Sequence, residues 1–187
     1  MFKKLNILDE KEKTLRQISL EVEGELSQKE KDLIARGLKE LKFSQIEDLA
    51  EKYCLRPGMG LAFPQLGILK RVIMIVHEFE PGQFQNYVVI NPKIVSNSQE
   101  IIAAEAGEGC LSVNRDVDGH VPRFARVTIE GYDIDGNKIR IRAREELAIA
   151  FQHEIDHLNG ILFYDRIDKN KPFYSEEEIR LIWKKDL

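Results

Sequence analysis

The sequence predicts an α+β fold in which antiparallel β-sheets pack around a central buried helix, with one further helix towards the N-terminus and a short one at the C-terminus. Three observations indicate this. A long amphipathic segment comes first, several short strand-like runs follow it, and a strongly apolar helical segment comes after them. Short turns join the later strand-like runs, which favours antiparallel pairing. At 187 residues the chain fits a single domain, over 1–187, with a substantial core.

The N-terminal helix is predicted over about 28–52. It opens with a capping-box pattern, in which the side chains of Ser27 and Glu30 each accept a hydrogen bond from the other's backbone N–H. Pro57 and Gly58 end it because both residue types break helices. Its apolar residues recur close to the helical period: Leu33, Ile34, Leu38, Leu41, Ile46 and Leu49.

The middle of the chain predicts a loop and then strands. The loop spans 58–65 and contains two glycines and a proline. The turn sequence of 133–137 predicts a hairpin between the last two strands, because Asp-Gly and Asn favour tight turns. The predicted strands are 72–76, 87–90, a weaker run at 100–104, 127–132 and 138–142.

Two further helices are predicted after the hairpin. The first runs from about Arg144 to Asn159 and ends at Gly160. Its apolar residues spread around the helix, which indicates burial on most sides. The second begins at Ser175, where a Ser-x-x-Glu pattern with Glu178 is a cap signal, and runs to about Lys185.

Charge and composition exclude several classes of protein. Hydrophobic residues make up 43% and charged residues 32%, which is typical of a folded globular chain. A net charge of −4 gives no reason to expect direct nucleic-acid readout. The start lacks the apolar stretch of a secretory signal, and no run is long enough to span a membrane. Two cysteines are too few for a disulfide framework, which is typical of a cytoplasmic protein. Together, these features predict a cytoplasmic protein without membrane contact.

The helix over 144–159 carries the pattern His-Glu-x-x-His. His153 and His157 lie four residues apart, so both imidazoles lie on one helix face and can bind one ion. A bound metal lowers the pKa of a water towards 7, and Glu154 is placed to take that proton. A chance match on a solvated helix is the alternative, but burying three ionisable side chains without a metal would be costly. The pattern predicts a metal-dependent hydrolase.

Three residues compete for the place of the third metal ligand. A catalytic zinc-type site usually has three protein ligands and one open position. His77 ends a predicted strand, and His120 lies in a glycine-containing turn. Cys110 lies in Glu108-Gly109-Cys110-Leu111-Ser112, where the preceding glycine allows the backbone close to a site and the thiolate is a strong, soft ligand. A metallopeptidase with a different third ligand and a structural metal domain with a closed four-ligand site stay open at this point.

Three segments together resemble one family, the peptide deformylases. The glycine-rich stretch from Gly58 to Gln65, the segment from Glu108 to Ser112, and Gln152 to His157 followed by Gly160 are similar to its three motifs in order and spacing. The resemblance covers roughly residues 15–168. The long segment before Gly58 and the loop over 113–122 resemble the longer bacterial subtype, type 2.

The resemblance implies removal of the N-formyl group from the formylmethionine of newly made proteins, with release of formate. It implies that Cys110, His153 and His157 hold one divalent ion, Fe²⁺ in the cell, with Zn²⁺, Ni²⁺ or Co²⁺ as substitutes. Glu154 would be the general base. The Gln65 side chain and the backbone N–H of Leu111 would donate to the oxyanion.

The resemblance also implies where the substrate peptide binds and which partners the protein has. Met59, Gly60 and Gly109 would pair with the substrate backbone as an added strand does. The protein would act as a monomer on nascent formyl-Met peptides. From the residues themselves, Ile182 and Trp183 of the C-terminal helix are expected to pack on the core, and the alternative hypothesis is that this helix, with Lys184 and Lys185, contacts the ribosome near the exit site. The family usually has alanine where this chain has Phe63, and whether this ring narrows the cleft beside the oxyanion donor is left open by the sequence.

Overall fold

Residues 2–182 form three helices and eight strands. The structure is a computed structural model that describes residues 2–182. The helices are α1 (Gln28–Ser44), α2 (Glu47–Tyr53) and α3 (Glu145–Leu158). The strands are β1 (Gly60–Ala62), β2 (Val72–Glu80), β3 (Gln83–Asn97), β4 (Ile101–Ala104), β5 (Arg123–Phe124), β6 (Arg126–Tyr132), β7 (Lys138–Arg144) and β8 (Arg180–Ile182). Single 3₁₀ turns occur at Lys13–Arg16, Phe63–Leu66 and Phe163–Arg166. The α+β class is confirmed.

The strands form two sheets. The larger one has five strands in the order β1-β2-β3-β6-β7, and every neighbouring pair is antiparallel. In the smaller one β4 lies between β5, to which it is antiparallel, and β8, to which it is parallel. The expectation of antiparallel sheets therefore holds for every pair except β4 with β8.

Both faces of the larger sheet are covered around β2, which explains why this strand is a continuous apolar run. Alternate side chains of a strand point to opposite faces. Ile73 and Ile75 lie in a core cluster with Phe151 and Ile155 of α3. Their neighbours in β2 pack instead in a second cluster with residues of α1 such as Ile34. The helix α3 packs against β1, β2, β5 and β7, and every residue from Leu147 to Leu158 is buried.

The single helix predicted over 28–52 is wrong in one respect, because the chain forms two helices with a break at Gln45 and Ile46. The predicted capping box between Ser27 and Glu30 is present. At the other end, the Ser44 hydroxyl and the Gln45 amide both donate to the carbonyl of Leu41. The Gln45 amide also donates to two carbonyls outside the helix. Such local side-chain bonds compete with helix continuation, so the apolar period runs on while the helix does not.

Four of the five predicted strands were too short, the strand predicted at 100–104 was one residue too long, and the predicted loop at 58–65 was only partly a loop. Residues 60–62 pair with Ile73 to Ile75 of β2, and residues 63–66 make a 3₁₀ turn. The hairpin of β2 and β3 extends well beyond its apolar parts, through mostly polar residues up to the turn at 81–82. These strand ends carry little alternation signal, because none of their residues is fully buried. The hairpin predicted around 133–137 is confirmed.

The predicted C-terminal helix is wrong over the residues that the structure describes, and 183–187 lie outside them. The predicted cap forms, since the backbone N–H of Ser175 donates to the Glu178 carboxylate. Only one turn follows, after which Arg180 to Ile182 pair with β4. Ile182 packs against the buried cluster of Ile102 and Ile149. Strand pairing at an otherwise open sheet edge therefore overrides a local helix signal. No helix within residues 2–182 is long and apolar enough to cross a membrane.

Candidate metal centre

The helix α3 and the loop after β4 bring three metal-binding side chains together. His153 and His157 lie on α3, one turn apart, with ring centroids 5.0 Å from each other. The thiol of Cys110 lies 3.3 Å from Nε2 of His157. The ligand atoms of all three side chains lie within 4.8 Å of one another, and all three are buried. One sulfur and two imidazole nitrogens suit a transition-metal ion.

The other two candidates for the third ligand lie elsewhere. Nε2 of His120 lies 3.2 Å from the carbonyl oxygen of Glu105, and Nδ1 accepts a hydrogen bond from the backbone N–H of Tyr174. His77 is in β2, in register with Gln85 of β3. Over residues 2–182, the only group of three or more such side chains close enough to hold an ion is that of Cys110, His153 and His157.

A buried carboxyl group lies beside the two histidines. Burial raises the pKa of Glu154 to about 7, and the charges of neighbouring groups only partly offset one another. Its Oε2 is buried and has no hydrogen-bond partner among residues 2–182. A buried carboxyl oxygen without a partner indicates that a ligand supplies one. With a pKa near neutrality this group can both take up and release a proton under cellular conditions.

Gly60 gives Glu154 the room it occupies. A Cβ added at Gly60 would lie 2.3 Å from Oε1 of Glu154, which is closer than non-bonded atoms approach each other. The glycine predicted from the sequence as a substrate contact is thus also needed for the position of the carboxyl group. Its neighbour Met59 is half-buried and packs against the α3 side of the core.

The loop over 58–65 and the loop after β4 meet at Gln65, Cys110 and Leu111. The Gln65 amide oxygen accepts from the backbone N–H of Ala62 at 2.8 Å, which fixes the side chain. Its Nε2 donates to the hydroxyl of Ser112 at 3.1 Å and lies 3.6 Å from the sulfur of Cys110. The backbone N–H of Leu111 has no acceptor within the described part of the chain. Gly109, one residue before Cys110, has open space where a side chain would stand.

Phe63 does not narrow the cleft, which answers the question that the sequence left open. Its side chain is 0% exposed and packs with Leu61, Val72 and Met74 in the core cluster that includes α1. A ring with no exposed surface cannot line an open cleft. The phenylalanine at this position, where the family usually has alanine, therefore fills the core next to the loop over 58–65.

A buried ion network lies next to the metal-binding side chains, and the sequence did not predict it. A carboxylate oxygen of Glu108 lies within hydrogen-bond distance, 2.8 Å, of Nδ1 of His153. The same carboxylate accepts two hydrogen bonds from Arg123, at 2.8 and 3.0 Å. Arg123 also donates to Asp156 at 2.5 Å, and Arg166 holds the same carboxylate. Asp156 therefore pairs with two arginines. No local pattern marks Arg123, which is 15 residues from Glu108.

The network sets the protonation of the site. Burial opposes the charge of Glu108, but Arg123 and His153 outweigh it and hold its pKa at about 2. Burial likewise opposes the charged form of His153, but hydrogen bonds to Cys110 and Glu108 raise its pKa well above the ordinary value. Burial and the nearby charge of His153 lower the pKa of His157. A metal needs neutral imidazoles, so binding would release a proton from His153. A carboxylate behind a ligating histidine is a frequent feature of metal sites.

Known proteins resemble this chain over nearly its whole length. A family model described as polypeptide deformylase matches residues 4–173. Peptide deformylase 2 of Bacillus subtilis is 46% identical over 172 residues, which is 92% of this chain and 94% of that protein. The peptide deformylase of Shouchella clausii is 50% identical over 163 residues, 87% of this chain and 89% of that protein. A Met-Ala-Ser-bound class I type b peptide deformylase from Acinetobacter baumannii has a TM-score of 0.71 at 30% identity, covering 89% of this chain and 100% of that one. The chain belongs to the polypeptide deformylase family, and to its type 2 kind.

Proposed function

We infer that this chain is a peptide deformylase, a metal-dependent hydrolase that removes the N-formyl group from newly made polypeptides and releases formate. Its membership of the family supports this activity. The single observation that carries the site assignment is the buried group of Cys110, His153 and His157, with the carboxyl group of Glu154 beside it.

We propose that these three side chains hold one divalent ion per chain. Fe²⁺ is the ion that we expect in the cell, with Zn²⁺, Ni²⁺ or Co²⁺ as substitutes, since imidazole and thiolate suit all of them. When bound, such an ion would polarise the formyl carbonyl and lower the pKa of a water molecule at the site. The Glu108 carboxylate would fix the ring of His153 through Nδ1 and leave Nε2 free for the ion.

Glu154 is the proposed acid and base. With its pKa at about 7, it takes a proton from the attacking water and gives it to the departing amine of methionine. The attack places negative charge on the formyl oxygen. The amide of Gln65 and the backbone N–H of Leu111 would donate to that oxygen. In the structure the Gln65 amide bonds to Ser112 and approaches Cys110, so it would reorient slightly to reach the oxygen.

The substrate would bind along the first loop. Met59 and Gly60 on one side and Gly109 on the other would pair with the extended backbone of the nascent peptide. The Acinetobacter baumannii relative in the comparison was solved with Met-Ala-Ser bound. A deformylated peptide that begins with methionine has the chemistry of a product of this reaction.

A zinc metallopeptidase is the alternative that the His-Glu-x-x-His pattern alone leaves open. Such peptidases mostly use histidine or glutamate downstream as the third ligand. Here Cys110, upstream in the chain, lies against His157. A closed structural site would need a fourth protein ligand, and residues 2–182 offer none in the group.

The experiment is a formate-release assay on formyl-Met peptides, run with metal analysis on anaerobically purified protein. We expect formate, no cleavage of internal peptide bonds, and about one ion per chain. Glu154→Ala should keep the ion and lose at least a hundredfold in kcat, because the group moves a proton and does not bind the ion. Glu51→Ala, an exposed glutamate on α2, is the matched control and should change nothing. Internal cleavage would support the peptidase, and an active Glu154→Ala variant would overturn the role of this residue.

We also propose that the chain is a single catalytic domain that works as a cytoplasmic monomer beside the ribosome. The ribosomal contact was expected from a C-terminal helix, which does not form over 175–182. The proposal therefore rests on the substrate, which is a nascent chain. Co-sedimentation with ribosomes is the test. A chain that ends at residue 182 keeps β8, so lost binding in this variant would place the contact in the last five residues, whereas no binding by either form would remove the idea.

A further inference from the structure

Arg56, an arginine outside the three sequence motifs, binds the loop that contains Cys110. Nη2 of Arg56 donates to the carbonyl oxygens of Cys110 and Val113, both at 2.9 Å, and Nη1 donates to Asn114 Oδ1 at 2.5 Å. Arg56 follows α2 and directly precedes Pro57-Gly58, the start of the first loop. One guanidinium therefore ties together the two segments that form the walls of the site.

The bond to the carbonyl of Cys110 acts on the peptide unit that contains the Leu111 N–H. The two groups belong to one trans peptide plane, because residues 2–182 contain no cis bond. In such a plane the C=O and the N–H point in opposite directions. The carbonyl of Cys110 accepts from Arg56 and from the N–H of Val113 at 3.1 Å, while the N–H of Leu111 has no acceptor in the described chain. Because Arg56 fixes the direction of the Cys110 carbonyl, it also fixes the direction of the Leu111 N–H, which points the opposite way.

We propose that Arg56 is a positioning residue for the reaction: it orients and polarises the Cys110–Leu111 peptide so that its N–H stabilises the oxyanion. A charged donor on a carbonyl draws electron density towards the oxygen and makes the N–H of the same amide a better donor. A fixed N–H also costs no reorganisation when the negative charge develops. This inference rests on the proposed deformylase function.

Other contacts hold the same loop in place, so removal of Arg56 should act locally. The backbone N–H of Glu10 donates to the carbonyl of Ser112 at 2.8 Å, and Arg115 pairs with the Glu10 carboxylate. Asn114 donates to Asp9 at 2.8 Å. None of these contacts reaches the Cys110–Leu111 peptide. Arg115 is therefore the matched control, since it is an arginine that anchors the same loop without touching that peptide.

The kinetic test compares Arg56→Met, Arg56→Lys and Arg115→Met as metal-loaded enzymes on a formyl-Met peptide. Arg56→Met should lower kcat about 10- to 100-fold with KM and bound metal within twofold of the parent, since a whole oxyanion donor contributes 10²- to 10³-fold. Arg56→Lys should recover part of the loss, because an ammonium keeps the positive charge but lacks the fork that reaches the two carbonyls and Asn114 together. Arg115→Met should stay within twofold in kcat. Because Arg56 is exposed, millimolar guanidinium should restore part of the activity of Arg56→Ala.

A second measurement does not depend on turnover. In the Zn²⁺-loaded protein, the ¹⁵N chemical shift of the Leu111 amide should move in Arg56→Met and hold its position in Arg115→Met. The proposal is overturned if that shift is unchanged, if kcat of Arg56→Met stays within twofold of the parent, or if its loss follows a loss of metal. If the parent enzyme releases no formate, the proposed function fails, and the amide shift alone then decides whether Arg56 polarises this peptide.

Discussion

Replacement of Arg123 by methionine tests whether the buried ion network stabilises the fold around the metal-binding side chains. The guanidinium is 2% exposed and makes three bonds, two to Glu108 and one to Asp156. Methionine keeps most of the apolar stem and removes the charge. Glu108 would keep only His153 as a partner, and Asp156 would keep only Arg166.

The magnitude follows from what is left behind. Removal of one partner of a buried ion pair costs about 3–5 kcal/mol, because an uncompensated charge remains in the interior. Each carboxylate here retains one other partner, so we expect the lower end, about 3 kcal/mol. For a chain of this size each kcal/mol shifts the melting temperature by about 2–4 °C, so Tm should fall by about 6–12 °C. The ring of His153 would also lose its fixed support, which typically costs 10- to 100-fold in metal affinity.

The assay is urea and thermal unfolding at one fixed, saturating metal concentration, because bound metal itself adds stability. Arg126→Met is the matched control: this side chain is 62% exposed and pairs with Glu100 at the surface. An exposed pair contributes at most about 1 kcal/mol. Similar small losses in both variants would refute the reasoning, since the burial of Arg123 would then make no difference.

Three further substitutions test single features of the structure. Gly60→Ala should keep the fold but lower kcat at least tenfold in the formate assay, because its Cβ would displace the Glu154 carboxyl group. Gly160→Ala should cost about 1–3 kcal/mol in urea unfolding, since the residue has φ of +72° and its Cβ would lie 2.7 Å from a backbone oxygen. Burial raises the pKa of Glu40, so the folded state favours the protonated acid, and the stability it adds is present below about pH 4.5 and lost as pH rises through the raised pKa. Glu40→Gln, which keeps the acceptor for the Leu5 N–H, should therefore be more stable than the parent at pH 7 and equal to it near pH 4.

The elements with strong local signals could be predicted from the sequence. The capping box fixed the start of α1 at residue 28, the turn at 133–137 fixed the hairpin of β6 and β7, and the apolar helix ending before Gly160 was placed to within one residue. The side chains brought together at the metal centre come from segments 43 residues apart. The helix period places His153 with His157, but spacing alone could not place Cys110 beside them and left His77 and His120 as alternatives.

The features that could not be predicted depend on contacts between distant segments. The cap at Ser175 forms as its sequence suggests, yet the chain continues into β8 because β4 offers an edge. The Gln45 side chain ends α1 by donating to carbonyls of Gly58 and Val76, both of which are distant in sequence. Phe63 could be taken for a residue of the cleft because the residues around it belong to a functional motif. Its own side chain packs in the core cluster on the α1 side of the sheet, away from α3.

The ion network explains how such distant segments keep a fixed geometry. It begins on α3 at His153, passes through Glu108 and Arg123, and returns to α3 at Asp156, three residues from where it began. A closed path of this kind joins the loop after β4 and the strand β5 to one helix face. Cys110 lies only two residues after Glu108, so the bonds that hold Glu108 also set how the sulfur meets His157. The same ionic bonds that stabilise this part of the core therefore fix the metal-binding geometry, and a substitution in the network should change stability and metal affinity together.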